Sequence, residues 1–364
     1  MSEPRDLRAI STQFQILGEF LGAEPYGTGH INDTYRATYD QGGATVHYIH
    51  QRINRTVFQA PEWLMDNIRR VTEHLHRKLG DRPDRTRCAL TLVPARDGRA
   101  FCRDPQGEYW RTYLFIERAR THDVVQSPKQ AFEAARAFGQ FQRLLADMPS
   151  PRLHETIPHF HDTPARMAAL EKAIEADSLG RVRNAGPEID FVLRRKSITT
   201  ALLEPHRQGV IPERITHNDT KLNNVMLDDD SQEGVCVIDL DTVMPGLALY
   251  DFGDLVRTAT SPALEDERDL SKVTMRLPMY EALVRGYLST AGDFLLEEER
   301  RRLATAGKLI TFEIGIRFLT DYLSGDVYFK THREGHNLDR CRTQFKLIES
   351  IERQEPQMER LATV

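Results

Sequence analysis

The residues best suited to chemistry in this 364-residue chain lie in one segment, His217-Asn218-Asp219-Thr220-Lys221-Leu222-Asn223-Asn224. It is followed by the apolar run Val235-Cys236-Val237-Ile238 and then Asp239-Leu240-Asp241. The spacing fits H-x-D-x-x-x-x-N, a short hairpin, and an aspartate at the end of a strand. That set suits phosphoryl transfer to a hydroxyl, which needs a carboxylate beside the attacking oxygen and oxygen ligands for the Mg²⁺ that neutralises a triphosphate. In this reading Asp219 is the base, Asn224 and Asp239 hold metal, and His217 braces the loop. An Asp/Asn-rich loop by itself reads as a turn, because such side chains bond their own backbone. The apolar strand and Asp239 that follow set this one apart. Asp251-Phe252-Gly253-Asp254 spells another metal motif, yet it lies beyond Asp239 and ends no apolar strand, so Asp251 reads as a structural carboxylate that caps or anchors the loop.

A phosphate site also needs a cover. Tyr26-Gly27-Thr28-Gly29-His30-Ile31-Asn32 offers Gly27 and Gly29 but lacks the third glycine of G-x-G-x-x-G. A plain hairpin explains a lone G-x-G equally well, while its place ahead of a strand pair allows backbone N–H groups to meet phosphate oxygens. The third strand should carry a lysine near Tyr48-Ile49-His50-Gln51-Arg52, and none is present. Strand alternation lets only one parity face inward. Gln51 is expected inward, bonding phosphate without charge, with Arg52 as the other choice.

These groups need elements to position them. From Glu19 to Glu117, short β-branched and aromatic runs alternate with turn signals, as in an antiparallel sheet. Strands are expected at 34–39, 45–53, 88–93 and 109–116, and one helix at Pro61 to Leu79, where Leu64, Ile68, Val71, Leu75 and Leu79 recur at helical spacing. After Glu117 the pattern becomes helical. Ser127-Pro128-Lys129-Gln130 supplies an N-cap, a proline at N1 and Gln at N3. Further helices are expected at 164–176, 189–204, 279–288, 297–323 and 338–358. The expected fold class is therefore α+β and bilobal, with a small antiparallel-sheet N-lobe carrying a helix (1–117) and a larger, mainly helical C-lobe (118–364), the two sharing a cleft.

With 40% apolar and 28% charged residues the chain can form a sizeable core. A formal charge of −5 gives no global field toward nucleic acid or an anionic membrane. The four cysteines, Cys88, Cys102, Cys236 and Cys341, include no C-x-x-C pair and read as reduced thiols. No apolar signal region or membrane span is visible, so a cytoplasmic protein is expected. His159-x-His161, His74-x-His76 and His47-x-x-His50 lack the partners of a zinc set and read as surface or cleft histidines.

The motifs and lobe order resemble the aminoglycoside phosphotransferase-like family of small-molecule kinases, which share the protein-kinase fold. The segments PYGTGHIND, ITHNDTKLNN, VIDLDTVMPG, DFGDLVR, ALEDERDLSKV and FLTDYLSGDVYF are further similar to bacterial N-acetylhexosamine 1-kinases, over about 26–346. That resemblance implies ATP- and Mg²⁺-dependent phosphorylation of the anomeric hydroxyl of a small sugar substrate, N-acetylglucosamine or N-acetylgalactosamine. It assigns Asp219 to the base and to the sugar, Asn224 and Asp239 to Mg²⁺, and Arg317, Tyr328 and His30 to the sugar. It also assigns Gly27, Gly29 and Gln51 to the nucleotide, with adenine on the backbone of Phe115, Ile116 and Glu117. From spacing alone, Glu313, Arg317 and Asp321, four residues apart, would be a solvated salt-bridge face.

Overall fold

The computed structural model describes residues 6–27 and 31–362. A five-stranded antiparallel sheet has the order β1-β2-β3-β5-β4, formed by β1 (Glu19–Pro25), β2 (Asp33–Gln41), β3 (Ala44–Arg52), β4 (Cys102–Arg103) and β5 (Tyr109–Leu114). Gly42 and Gly43, both at positive φ, make the β2–β3 turn, a conformation in which a Cβ is penalised. A short helix α1 (Leu7–Ser11) precedes the sheet, and α2 (Pro61–Leu79) lies beside it. Pro61 starts α2 at N1, and Leu64, Ile68, Val71 and Leu75 are buried along one stripe, as the periodicity predicts.

Residues 88–93 are not the strand expected. A helical turn, α3 (Arg85–Cys88), takes their start, and the chain then runs extended with two bonds to β5, Val93 N–H to Thr112 O and Leu114 N–H to Thr91 O. Pro94 has no N–H to continue the ladder, and β4 takes the sheet edge instead.

The remainder is mainly helical: α4 (Pro128–Leu145), α5 (Thr163–Ala176), α6 (Gly186–Leu193), α7 (Leu203–Arg207), α8 (Ala248–Ala259), α9 (Leu277–Ala291), α10 (Glu297–Arg300), α11 (Leu303–Ser324) and α12 (His336–Ala362). The Ser127 hydroxyl accepts from Gln130 N–H, and Gln130 reaches back to Gln126 N–H, so the cap read from sequence is present. Two expected helices are broken. The 189–204 run divides into α6, a 3₁₀ turn at Lys196–Thr200 and α7; three β-branched residues, Ile198, Thr199 and Thr200, weaken helix there. The 297–323 run divides into α10 and α11 at 301–302, and the Glu299 side chain caps Leu296 N–H at the start of α10 while pairing with Arg214.

Helices α4 and α9 approach so closely that a Cβ on Gly286 would lie 2.2 Å from Phe132 O, and one on Gly139 would lie 2.5 Å from Thr290 Oγ1. This packing makes α4 a rigid back wall for the strands β7 (Arg214–Thr216), β8 (Val225–Asp228), β9 (Gly234–Val237) and β10 (Met244–Gly246). Strand β7 pairs with β10, and a second small sheet runs β6-β8-β9, with β6 at Ala119–Arg120. The four cysteines are free. Among the described residues no helix is long and apolar enough to cross a membrane.

His50, His74 and His161 are buried rather than on the surface. His50, on β3, contacts the hydroxyls of Tyr39 and Thr112, and burial lowers its pKa from 6.5 to about 4. The unfolded chain therefore takes up this proton below pH 6.5 while the folded one does not. Stability from this group is intact above pH 6.5 and drains away as pH falls toward 4, by about 3 kcal/mol from linkage. His50→Gln should flatten the fall of the denaturant midpoint between pH 6.5 and 4; an unchanged slope would contradict the assignment.

Candidate active site

The catalytic loop is built from the back wall forward. Strand β7 delivers His217, whose ring is flanked edge-on by Phe138 and Phe141 of α4. His217 Nδ1 accepts from Asp219 N–H, which leaves Nε2 to donate to Ile238 O at 2.9 Å. One imidazole thus joins the loop to the strand that precedes Asp239. Behind the loop, Asp251 on α8 accepts from His217 N–H (2.9 Å) and Asn218 N–H (2.7 Å), and also from Gln142 Nε2 of α4. Burial pushes the Asp251 carboxyl above the usual range. The Asp251-Phe252-Gly253-Asp254 spelling is therefore a buried helical anchor.

In front, Asp219 Oδ1 lies 3.0 Å from Lys221 Nζ, and its Oδ2 accepts from Asn224 Nδ2 at 3.1 Å. The Asp219 side chain keeps 26% exposure, so a hydroxyl can reach it. Burial is the largest single influence and acts to raise its pKa, but the Lys221 ammonium, helped by His217 and Arg257, holds the carboxyl below the usual range. A base poised in this way is ionised at neutral pH. Lys221 is the residue that sequence reasoning missed, although it lies inside the quoted motif.

Asn224 Nδ2 also donates to Asp219 O at 2.7 Å, and Ile238 N–H donates to Asn224 O, which sets the loop against the strand end. Asn218 and Asp239 both adopt left-handed backbone, at φ 65° and 58°. Strain of this kind concentrates where a side chain must be aimed against local preference. Asp239 is open to solvent yet walled by both lobes, and that surrounding protein, followed by the charges of Asp241 and Asp219, pushes its pKa up to about 6. Among the described residues its carboxylate receives no hydrogen bond, and the oxygen of the Asn224 amide receives none. An underneutralised carboxylate beside an unengaged amide oxygen fits a divalent cation. Among the described residues no group of three or more His, Cys, Asp or Glu forms a metal centre by itself, so phosphate oxygens and water would complete the shell, as Mg²⁺ commonly requires.

The sheet lobe supplies less than expected. Gln51, expected to meet phosphate, has an Oε1 that accepts from Arg111 and an Nε2 that donates to Thr34 Oγ1, so both ends are engaged within the protein. Phe115 N–H donates to His47 O, Arg87 donates to Glu117 O, and Ile116 is buried. Those contacts occupy two of the backbone groups assigned to adenine. Gly27 has positive φ and open space around it. Gly29 and His30 lie outside the described residues.

Arg317 and Tyr328 come together, with Nη2 of the arginine 3.5 Å from the phenol oxygen. The spacing-based expectation of a solvated salt-bridge face does not hold. Glu313 is fully buried and bonds His161 and Thr163; Asp321 is buried and accepts from the N–H groups of Val327, Tyr328 and Phe329. Asp321 therefore shapes the loop that presents Tyr328. His161, bonded to Glu313, also bonds Asn218 O at 3.1 Å, which ties the Arg317 helix to the residue preceding Asp219. The Arg317 guanidinium lies 5.3 Å from the Phe160 ring, 5.7 Å from Tyr328 and 5.5 Å from Phe329.

A sheet lobe over a helical lobe, with a loop aspartate and a strand-end aspartate facing one cleft, defines a protein-kinase-like phosphotransferase. The fold agrees with solved structures. An aminoglycoside phosphotransferase from Alicyclobacillus acidocaldarius superposes with a TM-score of 0.60 at 13% identity, over 99% of this chain and 98% of that one. A choline kinase from Cryptosporidium parvum gives 0.58 at 12% over 96% of each chain, and the GDP complex of aminoglycoside 2′-phosphotransferase-IIIa gives 0.58 at 12% over 94% and 99%. The model of the phosphotransferase enzyme family, APH, matches residues 22–295, and the chain belongs to that family of small-molecule phosphotransferases.

Proposed function

We propose that this chain is an ATP-dependent kinase that phosphorylates the anomeric C1 hydroxyl of N-acetylglucosamine or N-acetylgalactosamine. The observation that carries the chemistry is Asp219, ionised beside Lys221 and next to Asn224 and Asp239. The sugar hydroxyl oxygen attacks the γ-phosphorus as its proton passes to an Asp219 carboxylate oxygen. The bond from that phosphorus to the β–γ bridging oxygen breaks, and ADP carries away the electron pair. Lys221 stands where it can offset negative charge on the transferring group. Mg²⁺ held by Asn224 and Asp239 would supply charge neutralisation of the triphosphate. Positioning and electrostatics provide most of the rate.

Support for a sugar comes from the extended sequence resemblance and from the Arg317–Tyr328 pair, which presents directional donors to hydroxyl or amide oxygens. A choline-type substrate fits less well. Quaternary ammonium recognition uses an aromatic cage, and here the rings of Phe160, Tyr328 and Phe329 already surround a guanidinium. A second cation there meets like charge.

Phosphorus NMR with ATP and N-acetylglucosamine, N-acetylgalactosamine, galactose or choline tests the reading. A C1 phosphate monoester of an N-acetylhexosamine is expected. Phosphocholine as the product, or ATP binding without acceptor-dependent ADP release, would refute it. Arg317→Gln should raise the sugar KM by about 10- to 100-fold, the worth of a charged hydrogen bond, while leaving the ATP KM unchanged. An unaltered sugar KM would remove Arg317 from the site.

A further inference from the structure

The cleft-facing stretch of β3 has no lysine, and the cation that stands there comes from the neighbouring strand. Strands β3 and β5 pair antiparallel with Gln51 opposite Arg111. Arg111 is 1% exposed. Its Nε and Nη2 donate to Gln51 Oε1 at 2.8 and 2.6 Å, and its Nη1 lies 2.5 Å from Asp241 Oδ1. Asp241, 3% exposed, sits two residues past Asp239 in the 3₁₀ turn Leu240–Thr242. Its other oxygen accepts from Asn32 Nδ2 at 2.6 Å, its backbone oxygen accepts from Thr156, and Asn67 of α2 donates to Val243 O at 3.1 Å. The turn behind Asp239 is thus gripped from the sheet, from α2 and from the helical lobe, and Arg111 is the charged member of that grip.

The choice of arginine has a physical reason. A guanidinium is a planar fork, so one edge can seat on Gln51 while the remaining nitrogen reaches Asp241. A lysine ammonium at the end of a flexible stem cannot hold both with fixed geometry. Buried on all sides, with Nε and Nη2 bonded to Gln51 and Nη1 in charge contact with Asp241, Arg111 has no edge left for a nucleotide, so its influence passes through Asp241. Gln51, in turn, orients the arginine.

We propose that Arg111 is a positioning residue for Asp239. It fixes the strand-end turn against the sheet lobe, and it supplies from β5 a cation beside Gln51, where β3 carries no lysine. The proposal rests on Asp239 being a cation ligand in the site described above.

The test compares wild type, Arg111→Gln, Arg111→Lys, Asp241→Asn and the double variant Arg111→Gln/Asp241→Asn in the full chain. Mn²⁺ affinity of the ADP complex is read by electron paramagnetic resonance, alongside thermal melting, the Mg²⁺ half-saturation of turnover and the sugar KM. Arg111→Gln should weaken Mn²⁺ binding by about 10- to 100-fold, the usual effect of losing a group that orients a ligand, with the sugar KM unchanged. Arg111→Lys should recover part of that loss. The double variant removes both buried charges, so it should melt closer to wild type than either single change, yet retain the Mn²⁺ defect. A double variant with wild-type Mn²⁺ affinity would overturn the proposal, since Arg111 would then only balance a buried charge. Arg111→Gln with unaltered Mn²⁺ affinity would overturn it equally. Should Arg111→Gln and Asp241→Asn fail to fold, Arg111→Lys and the double variant still decide the matter. Wild-type protein that binds ADP and Mn²⁺ normally but phosphorylates no acceptor would refute the kinase reading alone, because the binding measurement does not depend on turnover.

Discussion

Asp219→Asn is expected to lower kcat by about 10²- to 10⁴-fold, the range typical of a lost general base, while the protein keeps its fold and its affinity for ADP. The substitution preserves shape. An asparagine oxygen can still face Lys221, which lies 3.0 Å from Oδ1 in the native protein. Asn224 loses the carboxylate oxygen it donates to at 3.1 Å but keeps its 2.7 Å bond to the backbone oxygen of residue 219. What disappears is the proton acceptor, together with the negative charge that neutralises Lys221. Turnover should fall at every sugar concentration, with KM little altered, because the lost interaction belongs to the transition state. Single-turnover kinetics with purified variant and a melting curve make the check. Wild-type turnover in a folded Asp219→Asn protein would end the base assignment.

The parts of this site that were legible in the sequence are those whose signal is local. Helix α2 could be bounded because Pro61 and the stripe from Leu64 to Leu79 lie in one continuous stretch of sequence. The α4 start was legible for the same reason, through Ser127, Pro128 and Gln130. The loop His217–Asn224 and Asp239 were visible as a motif, and the hairpin between them brings them together.

What could not be read joins distant residues. Asn32 meets Asp241 across 209 positions, and Arg111 meets Asp241 from a different strand, so no spacing announces either contact. Strand alternation puts Gln51 and Arg52 on opposite faces, but the Arg111 partner of Gln51 was hidden because register between strands is a tertiary property. The Glu313–Arg317–Asp321 series shows the converse failure. Its four-residue spacing satisfies the rule for surface ion pairs, while the carboxylates are in fact claimed by other elements, Glu313 by His161 and Thr163 and Asp321 by the loop at 327–329. The helix breaks after Leu193 and near Arg301 leave little local signal, because a periodic apolar pattern continues with little change through the 3₁₀ turn at Lys196–Thr200 and the short turn at 301–302.

The largest expected loss of stability follows from Asp251→Ala. Two backbone N–H groups, His217 and Asn218, and the Gln142 amide all donate to this carboxylate, in a region where Asp251 is fully buried. Alanine leaves three buried donors without an acceptor, each worth about 1–3 kcal/mol of desolvation. Even with partial relaxation the sum should reach at least about 3 kcal/mol, a large share of the roughly 5–15 kcal/mol that holds a domain together. Gln142 would also lose its orientation relative to Tyr287, whose hydroxyl donates to its oxygen, so the disturbance should travel along the α4–α9 wall. Asp251→Asn should fall between the two, since one amide oxygen can serve some of the donors while its NH₂ group faces the others. Denaturant unfolding of both variants, paired with Mg²⁺ titrations of whatever activity remains, separates anchor from ligand. An anchor predicts a lower unfolding midpoint for alanine than for asparagine and an unchanged Mg²⁺ half-saturation in the folded fraction. A stable Asp251→Ala protein with strongly raised Mg²⁺ demand would mean that the Asp251-Phe252-Gly253-Asp254 spelling is a metal motif after all, and that Asp239 has been given the wrong role.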